Sequence, residues 1–221
     1  MDLKIDDVAQ LLNVTPQRIE KWITAGTIPS YQLGNEPRFS RQEIEAWMLE
    51  QDHLPSDHLV KPTGLHKFSL FRALHKGDLY ADIPGITPQQ LITGTTQKLA
   101  TKYELDATAL SNLLLDRERQ MTTALGSGIA VPHTRDFLLP THFDVVTVVF
   151  PKEPIPYDAL DGAPVHTLFF LFACEDARHL DLLAKIAHFS NDEQNIRLLE
   201  RRPDRATLLS HIKAWEAGLA H

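Results

Sequence analysis

The amino-acid sequence predicts an α/β (α+β) fold, a mixed sheet flanked by helices, preceded by a small winged helix-turn-helix domain. Residues 1–53 contain two amphipathic helical patterns joined by a tight turn, then a short hairpin pattern and a third helical pattern. Residues 54–65 are polar and contain prolines and a glycine, as linkers do. In residues 66–221 helical patterns alternate with short β-branched runs, which predicts helices packed on a sheet.

The first domain opens with two helices that lie close together in the sequence. Residues 6–12 place apolar side chains on one helical face. Thr15 followed by Pro16 predicts the start of the second helix, because a hydroxyl at the N-cap and a proline in the first turn both favour a helix N-terminus. Gly26 predicts the end of that helix.

A hairpin and a third helix follow. Residues 28–33 and residues 38–39 are predicted strands on either side of a turn that contains glycine and proline. Ser40 and Glu43 have the spacing of a capping box, which marks a helix N-terminus. A third helix is therefore predicted directly after the hairpin.

This order of elements resembles the excisionase/MerR-like DNA-binding domains. The resemblance runs through the segments DVAQLLNVTPQRIEKWITAGTIP and RFSRQEIEAWM. It implies that the second helix enters the major groove and that the residues after the wing turn reach phosphates. The implied DNA-binding residues are Gln17, Arg18 and Lys21 on the second helix, with Arg38 and Arg41 after the wing turn.

The charge of the chain argues against strong non-specific binding to nucleic acid. The formal net charge is −7, and residues 1–53 carry five basic and nine acidic side chains. Affinity for DNA scales with the number of phosphates that basic residues neutralise, so one copy of this domain predicts weak binding. A homodimer or two sites in one complex would be needed for tight binding. A structural or partner-binding module is the alternative interpretation.

Eight helices and strands are predicted in the second domain, after an entry segment. The stretch 66–75 regains apolar residues and is interpreted as a helix or as the entry to the domain. The strands are those where β-branched residues cluster, and the helices those with apolar spacing of three and four. In chain order we predict a strand at 81–83, helices at 89–103 and 106–119, strands at 129–131, 144–150 and 165–173, and helices at 179–189 and 203–217.

One stretch of the second domain, residues 117–135, reads RERQMTTALGSGIAVPHTR and predicts a phosphoryl acceptor. Pro132 ends the short strand, so His133 follows at a strand exit. Gly126 and Gly128 allow a tight turn and a close approach of the backbone to a ligand. Imidazole can be the nucleophile, while hydroxyls, amides and a guanidinium hold anionic oxygens. An ordinary loop histidine is the alternative.

The same stretch resembles the active-site segment of the type-2 enzyme IIA domains of the bacterial phosphotransferase system, which include fructose/mannitol-type and nitrogen-regulatory IIA proteins. Ala124 departs from the glycine that is usual in that family. The residues in register are Arg117, Glu118, Thr122, Thr123, Leu125, Gly126, Gly128, Ile129, Ala130, Val131, Pro132 and His133.

A second segment, from Ala173 to Ala187, resembles the segment that follows the last core strand in the same family. The resemblance implies that His133 accepts a phosphoryl group from a histidine-containing phosphocarrier protein. It implies that Arg117 contacts the phosphate and that His179 is a second active-site histidine at a helix start. The implied phosphate-binding residues are Thr122, Thr123, Gly126, Ser127 and Gly128.

The remaining features of the sequence restrict the class of protein. No apolar run is long enough for a membrane span, the N-terminus does not read as a signal peptide, and a cytoplasmic location is expected. The single cysteine, Cys174, is interpreted as a buried, inert thiol. The histidines show no metal-ligand spacing, so neither a metal site nor a cofactor is predicted.

Three hypotheses for the function follow. The first is a regulatory IIA-like protein, phosphorylated on His133, whose state controls the binding of DNA or of regulatory target proteins. The fused helix-turn-helix favours it, as does the lack of a membrane or sugar-site segment in the sequence. The second is a sugar-specific phosphocarrier of a transport system with a structural N-terminal module. The third is a DNA-binding transcription factor whose second domain is a sensor that is not phosphorylated.

Overall fold

The computed structural model of the protein describes residues 2–12, 14–34, 36–49, 69–134, 143–174 and 176–219. The predicted fold class is confirmed, since a small helical domain with a two-stranded hairpin precedes a five-stranded mixed sheet flanked by helices. The predicted linker at 54–65 lies outside the described residues. The elements of the N-terminal domain are α1 (Ile5–Leu12), α2 (Pro16–Ala25), β1 (Tyr31–Leu33), β2 (Glu36–Arg38) and α3 (Arg41–Leu49).

The two ends of α2 can be compared with the capping signals that the sequence contains. Gly26 has φ 67, and its N–H donates to the carbonyl of Ile23, as in a helix that ends on a left-handed glycine. Thr15 occupies the N-cap position but its side chain makes no capping hydrogen bond. The strands of the hairpin also differ from the prediction, because β2 begins at Glu36 and residues 28–29 are not in a strand.

The second domain contains five strands and six helices among its described residues. Its elements are α4 (Leu70–Lys76), β3 (Leu79–Ile83), α5 (Pro88–Tyr103), α6 (Ala107–Gln120), β4 (Ala124–Gly126), β5 (Ile129–Ala130), β6 (Val145–Pro151), β7 (Thr167–Phe172), α7 (Asp176–Ser190), α8 (Glu193–Glu200) and α9 (Arg205–Gly218). Strand β4 and helix α8 were not predicted. Helix α7 begins three residues earlier than predicted, which places His179 inside its first turn.

The sheet has the strand order β3-β6-β7-β5-β4 and mixes parallel and antiparallel pairs. Strand β6 pairs with β3 in parallel and with β7 antiparallel. Strand β7 pairs with β5 in parallel, and β4 closes the edge as an antiparallel hairpin with β5. The carboxyl ends of β5 and β7 therefore lie side by side at one edge of the sheet.

Both faces of the sheet are covered by helices. All the residues of β6 and β7 are buried, as continuous apolar runs in a two-sided core require. On one face α4, α7, α8 and α9 contribute to a core that includes Phe169 and Phe189. On the other face α5 and α6 contribute to a second core that includes Leu114 and Phe170.

The N-terminal domain packs onto the second domain through α7. Helices α1 and α3 both lie against α7. Leu180 and Ala184 of α7 belong to the same buried apolar cluster as the core of the N-terminal domain. That cluster includes Val8, Ala9, Leu12, Ile19, Trp22, Ile44, Trp47 and Met48. The two domains thus share one hydrophobic cluster.

The described ranges contain neither a membrane helix nor an assembled metal site. Within them, no helix combines the length and the apolar character that crossing a membrane requires. No group of three or more His, Cys, Asp or Glu side chains in those ranges could hold a metal ion. Cys174 is half-buried and not part of a disulfide.

Candidate phosphoryl site

His133 lies at the carboxyl edge of the sheet, where β5 runs out. The chain stays extended beyond β5, and His133 pairs in parallel with Leu171 of β7 in the same register as the strands. The N–H of Leu171 donates to the carbonyl of Pro132 at 3.0 Å. The side chain of His133 is 0% exposed. The backbone on both sides of the histidine is therefore fixed by the sheet.

The hydrogen bonds of the imidazole determine its tautomer. Nδ1 of His133 lies 2.7 Å from the carbonyl oxygen of Val131, which can only accept, so Nδ1 carries the proton. Nε2 accepts a hydrogen bond from Nε–H of Arg117 at 3.2 Å. The ring is thus neutral, and its lone pair is on Nε2, directed at the guanidinium.

Arg117 reaches the histidine from the last turns of α6. It is 8% exposed, which is unusual for an arginine. Its NH1 also donates to the carbonyl of Met121, the residue that ends α6, at 3.1 Å. Together the two contacts hold the guanidinium plane beside Nε2 of His133, where an anion bound to that nitrogen would meet it.

His179 approaches His133 from the first turn of α7. The ring centroids of the two histidines are 5.2 Å apart, with 58° between the ring planes, and His179 is 2% exposed. The structure therefore brings together Arg117, His133 and His179, which lie on three different elements. Two buried histidines and a buried arginine form one cluster.

An ion pair that the sequence did not reveal holds the start of α7. Asp144, directly before β6, accepts hydrogen bonds from Nε of Arg178 at 2.8 Å and from the N–H of Cys174 at 3.1 Å. The carboxylate also pairs with the second guanidinium nitrogen of Arg178 at 2.7 Å. Because Arg178 is adjacent to His179, Asp144 fixes the helix turn that carries the second histidine.

The hydroxyls of Thr122 and Thr123 both have acceptors within the protein. Thr122 donates to the carbonyl of Tyr157 at 2.9 Å, and Thr123 donates to Oε2 of Glu118 at 2.5 Å. The carbonyl of Thr123 accepts from the N–H of Val131 at 2.9 Å. In this structure the two threonines thus hold the chain beside His133 through hydrogen bonds within the protein.

Glu118 is the centre of this support, and its role was not predicted. Its carboxylate accepts from the N–H of Thr123 at 2.8 Å and from the hydroxyl of Tyr157 at 3.2 Å. The pKa of the Glu118 carboxyl is raised above its usual value, because burial raises it more than the hydrogen bonds from Thr123 and Tyr157 lower it. The sequence indicates Glu118 only through its place beside Arg117 in the segment that resembles the IIA active site.

The glycine turn and His133 lie at opposite ends of the segment that contains β5. Gly126 ends β4, and Ser127 and Gly128 form the turn of the β4–β5 hairpin, at the amino end of β5. About 13 Å of extended chain separates Ile129 from His133, at roughly 3.3 Å per residue. The N–H of Ser127 donates instead to Asp161 at 2.7 Å. The turn and His133 are close in the sequence but far apart in space, because the chain between them is extended.

Gly128 has a packing role in the hairpin turn. Its φ is +75°, and a Cβ there would lie 2.3 Å from Cδ2 of His166. The N–H of His166 donates to the carbonyl of Gly128 at 2.8 Å, which holds the two segments in contact. Glycine is therefore required by the approach of His166.

Replacing Gly128 with alanine should destabilise the protein by about 2–4 kcal/mol, because left-handed strain and a steric clash add together. Gly162→Ala is the matched control, since Gly162 has φ +68° and nothing within 4 Å of the added Cβ. The control should lose only about 1 kcal/mol. Urea unfolding monitored by circular dichroism measures both losses. Equal losses of unfolding free energy in the two variants would show that the contact with His166 does not add to the destabilisation.

The residues proposed for DNA lie on the exposed side of α2, on the wing and at the start of α3, where Arg41 is half-buried. Gln17, Arg18 and Lys21 are exposed on α2, with the Arg18 guanidinium 5.2 Å from the centre of the Trp22 ring. Arg38 is half-buried and pairs with Glu36 across 2.5 Å. The positive charge of Arg38 is thus partly neutralised by a carboxylate on the same strand of the wing.

Comparison with protein families agrees with this architecture. The family model described as "Phosphoenolpyruvate-dependent sugar phosphotransferase system, EIIA 2" matches residues 75–215, so the chain belongs to this family. A second model, described as "Helix-turn-helix domain", matches residues 3–52. The protein is therefore a phosphotransfer-type IIA protein with a fused helix-turn-helix domain.

Individual relatives carry regulatory and transport names. The chain is 35% identical over 121 residues to a nitrogen regulatory protein of Pseudomonas aeruginosa, a match that covers 53% of this chain and 77% of that protein. It is 30% identical over 113 residues to the fructose-specific EIIABC component of Bacillus subtilis, covering 47% of this chain and 16% of that protein.

Solved structures show the same fold. The nitrogen regulatory protein IIA-Ntr of Neisseria meningitidis superposes with a TM-score of 0.55 at 22% identity, covering 66% of this chain and 95% of that one. A putative IIA domain of Streptococcus pyogenes gives a TM-score of 0.52 at 16% identity, covering 62% and 89%. At these identities the likeness concerns the fold alone.

Proposed function

We propose that this protein accepts a phosphoryl group on Nε2 of His133 from a histidine phosphocarrier, and that its phosphorylation state controls binding by the helix-turn-helix domain. The observation that carries the proposal is the fixed neutral imidazole. Val131 holds the proton on Nδ1, so the lone pair is on Nε2 beside the Arg117 guanidinium. A nucleophile and a cation for the transferred anion thus lie in contact before the donor arrives.

The transfer needs positioning and charge stabilisation more than covalent chemistry. The phosphoryl group passes through a loose transition state whose charge is spread over its equatorial oxygens. As the group bonds to Nε2, Arg117 exchanges its bond to the ring for bonds to the oxygens. His179, whose ring faces His133 at 5.2 Å, donates a further hydrogen bond to them. The proton stays on Nδ1, which donates to the carbonyl of Val131.

The fused domain supports a regulatory role over a role in transport alone. The phosphorylated histidine carries up to about two negative charges and three strong acceptor oxygens. A domain that packs on α7, the helix of His179, is in position to respond to that change. The relative in Pseudomonas aeruginosa is named a nitrogen regulatory protein, which also supports a regulatory role.

DNA is the proposed ligand of the exposed face of α2 and the wing. With at most five basic residues per copy, the slope of log affinity against log salt should be about −4 to −5. The binding is therefore expected at low salt or from a dimer. Regulatory target proteins are the alternative ligands of the same face.

A sugar-specific phosphocarrier is the second candidate, favoured by the fructose-specific Bacillus subtilis relative. It differs in the fate of the phosphoryl group. A transport carrier passes the group on to a IIB domain and shows no dependence of DNA binding on phosphorylation.

The test is to incubate the protein with the general phosphotransferase proteins and labelled phosphoenolpyruvate, then to select duplex DNA from a random library at low salt. We expect one acid-labile phosphoryl group per chain and a different yield of DNA from the phosphorylated and unphosphorylated forms. Absence of label would overturn phosphoryl acceptance. Label with equal DNA recovery, together with onward transfer to a IIB domain, would favour the transport role.

A further inference from the structure

Helix α7 has a different neighbour on each of two faces. His179, Leu182, Leu183 and Ile186 lie along the side toward the sheet, where the leucines and the isoleucine join the core around Phe169. Leu180 and Ala184, four residues apart and so on one helical face, join the cluster of the N-terminal domain. One helix therefore contacts both the phosphoryl site and the helix-turn-helix domain.

The N-terminal domain uses only part of its surface for this contact. Helices α1 and α3 lie against α7, while Gln17, Arg18 and Lys21 on α2 remain exposed. The apolar cluster that Leu180 and Ala184 join also contains core residues of the N-terminal domain, such as Val8. Docking thus buries apolar surface and leaves the proposed DNA-binding face accessible.

The phosphoryl site is closed in this docked arrangement. His133 is 0% exposed and His179 is 2% exposed. A phosphocarrier has to bring its own phosphohistidine in line with Nε2, within a contact that covers roughly 800 Å² on each partner. Four additional heavy atoms must also fit between His133 and its neighbours. The transfer therefore requires the elements around His133 to separate.

The first turn of α7 is the element that links this separation to docking. The His179 ring stands against His133, and Leu180 is the next residue along the same turn. A displacement of His179 by a phosphoryl group moves Leu180 as well, away from the apolar contacts of α1 and α3. Because packed interfaces have two arrangements rather than a continuum, a small shift favours the open one.

We propose that the α7 face formed by Leu180 and Ala184 is an autoinhibitory docking surface, on which the N-terminal domain and the phosphocarrier exclude each other. The docked chain resists phosphorylation, and the phosphorylated chain carries its N-terminal domain undocked. This inference rests on the proposed function. In the step itself, the bond from phosphorus to the phosphocarrier's histidine nitrogen breaks as the bond to Nε2 of His133 forms, with no change of oxidation state.

The test compares Ala184→Glu with Ala184→Ser in the full chain. Glutamate places a charge and a long side chain in the apolar contact, while serine keeps the size of the residue; Ala184 is absent from both cores of the sheet domain. The rate of labelling from phosphoenolpyruvate through the general phosphotransferase proteins is measured for both. Leu180→Ala is a second variant that weakens docking without a charge.

Ala184→Glu should be labelled at least about tenfold faster than Ala184→Ser, the increase expected when a competent state populated at about one part in ten becomes dominant. Leu180→Ala should lie between the two. Hydrogen exchange of α1 and α3 in the wild type should also increase after phosphorylation. Equal labelling rates for all the variants would overturn the docking surface while leaving phosphoryl acceptance intact. Absence of label in every protein would overturn the proposed function, and this inference with it.

Discussion

Replacing His133 with alanine should abolish labelling of the protein by phosphoenolpyruvate and the general phosphotransferase proteins. The ring supplies the nucleophile, and its backbone is fixed because it continues β5 and pairs with Leu171 of β7. The label on the wild type should be lost in acid and retained in base, as a phosphoramidate requires. Label that is retained in acid and lost in base would indicate a hydroxyl acceptor, such as Thr122 or Thr123.

Two control variants make this result specific to the nucleophile. His133→Gln keeps a polar side chain whose amide oxygen can accept from Arg117, so the pocket stays paired while the nucleophile is removed. His75→Ala removes an exposed histidine on α4 and should be labelled like the wild type. Labelling of His133→Gln at the wild-type rate would contradict the assignment of Nε2 as the acceptor.

Local signals in the sequence predicted most of the elements. The Thr87–Pro88 pair marks the start of α5, where the Thr87 hydroxyl accepts from the N–H of Gln90. Gly26 ends α2 because it alone among neighbouring residues takes a positive φ without strain. The apolar runs of β6 and β7 predicted strands buried on both faces. Each of these signals acts within a few residues, so the sequence alone can show it.

Long-range placement accounts for what sequence reasoning missed. The glycine turn was expected at His133 because it is five residues away, yet those residues are extended and carry the histidine to the other end of the strand. Glu118 also accepts from the hydroxyl of Tyr157, which lies 39 residues further along the chain and is brought there by the fold. Leu180 and Ala184 read as ordinary core positions of α7 until the N-terminal domain is seen against them.

Helix α8 was missed for a different reason, because its signal was present in the sequence. Asp192 caps it, with its carboxylate accepting from the N–H groups of Gln194 and Asn195. The helix has few apolar residues to mark a face, and Leu199 is the one that is fully buried by the core. Without a clear apolar face, a capping residue alone does not predict a helix.

Replacing Arg117 with glutamine should lower the rate of phosphoryl transfer to His133 by about 10²–10³-fold, the loss that follows when one preorganised donor to a developing anion is removed. Arg117 touches the reacting nitrogen directly, through Nε at 3.2 Å. Arg117→Lys keeps the charge but not the planar fork, so it should recover only part of the rate. Single-turnover transfer from a prephosphorylated carrier separates this chemical step from binding.

The matched control for Arg117 is its neighbour on the same helix. Arg119 is exposed and pairs with Asp116 at 3.0 Å on the surface of α6, so Arg119→Gln removes the same charge without reaching the histidine. It should transfer phosphate at close to the wild-type rate, since exposed ion pairs of this kind contribute little. Comparable losses in the two variants would mean that overall charge attracts the phosphocarrier. A loss confined to Arg117 would place the guanidinium on the transferred group, where the geometry of Nε2 predicts it.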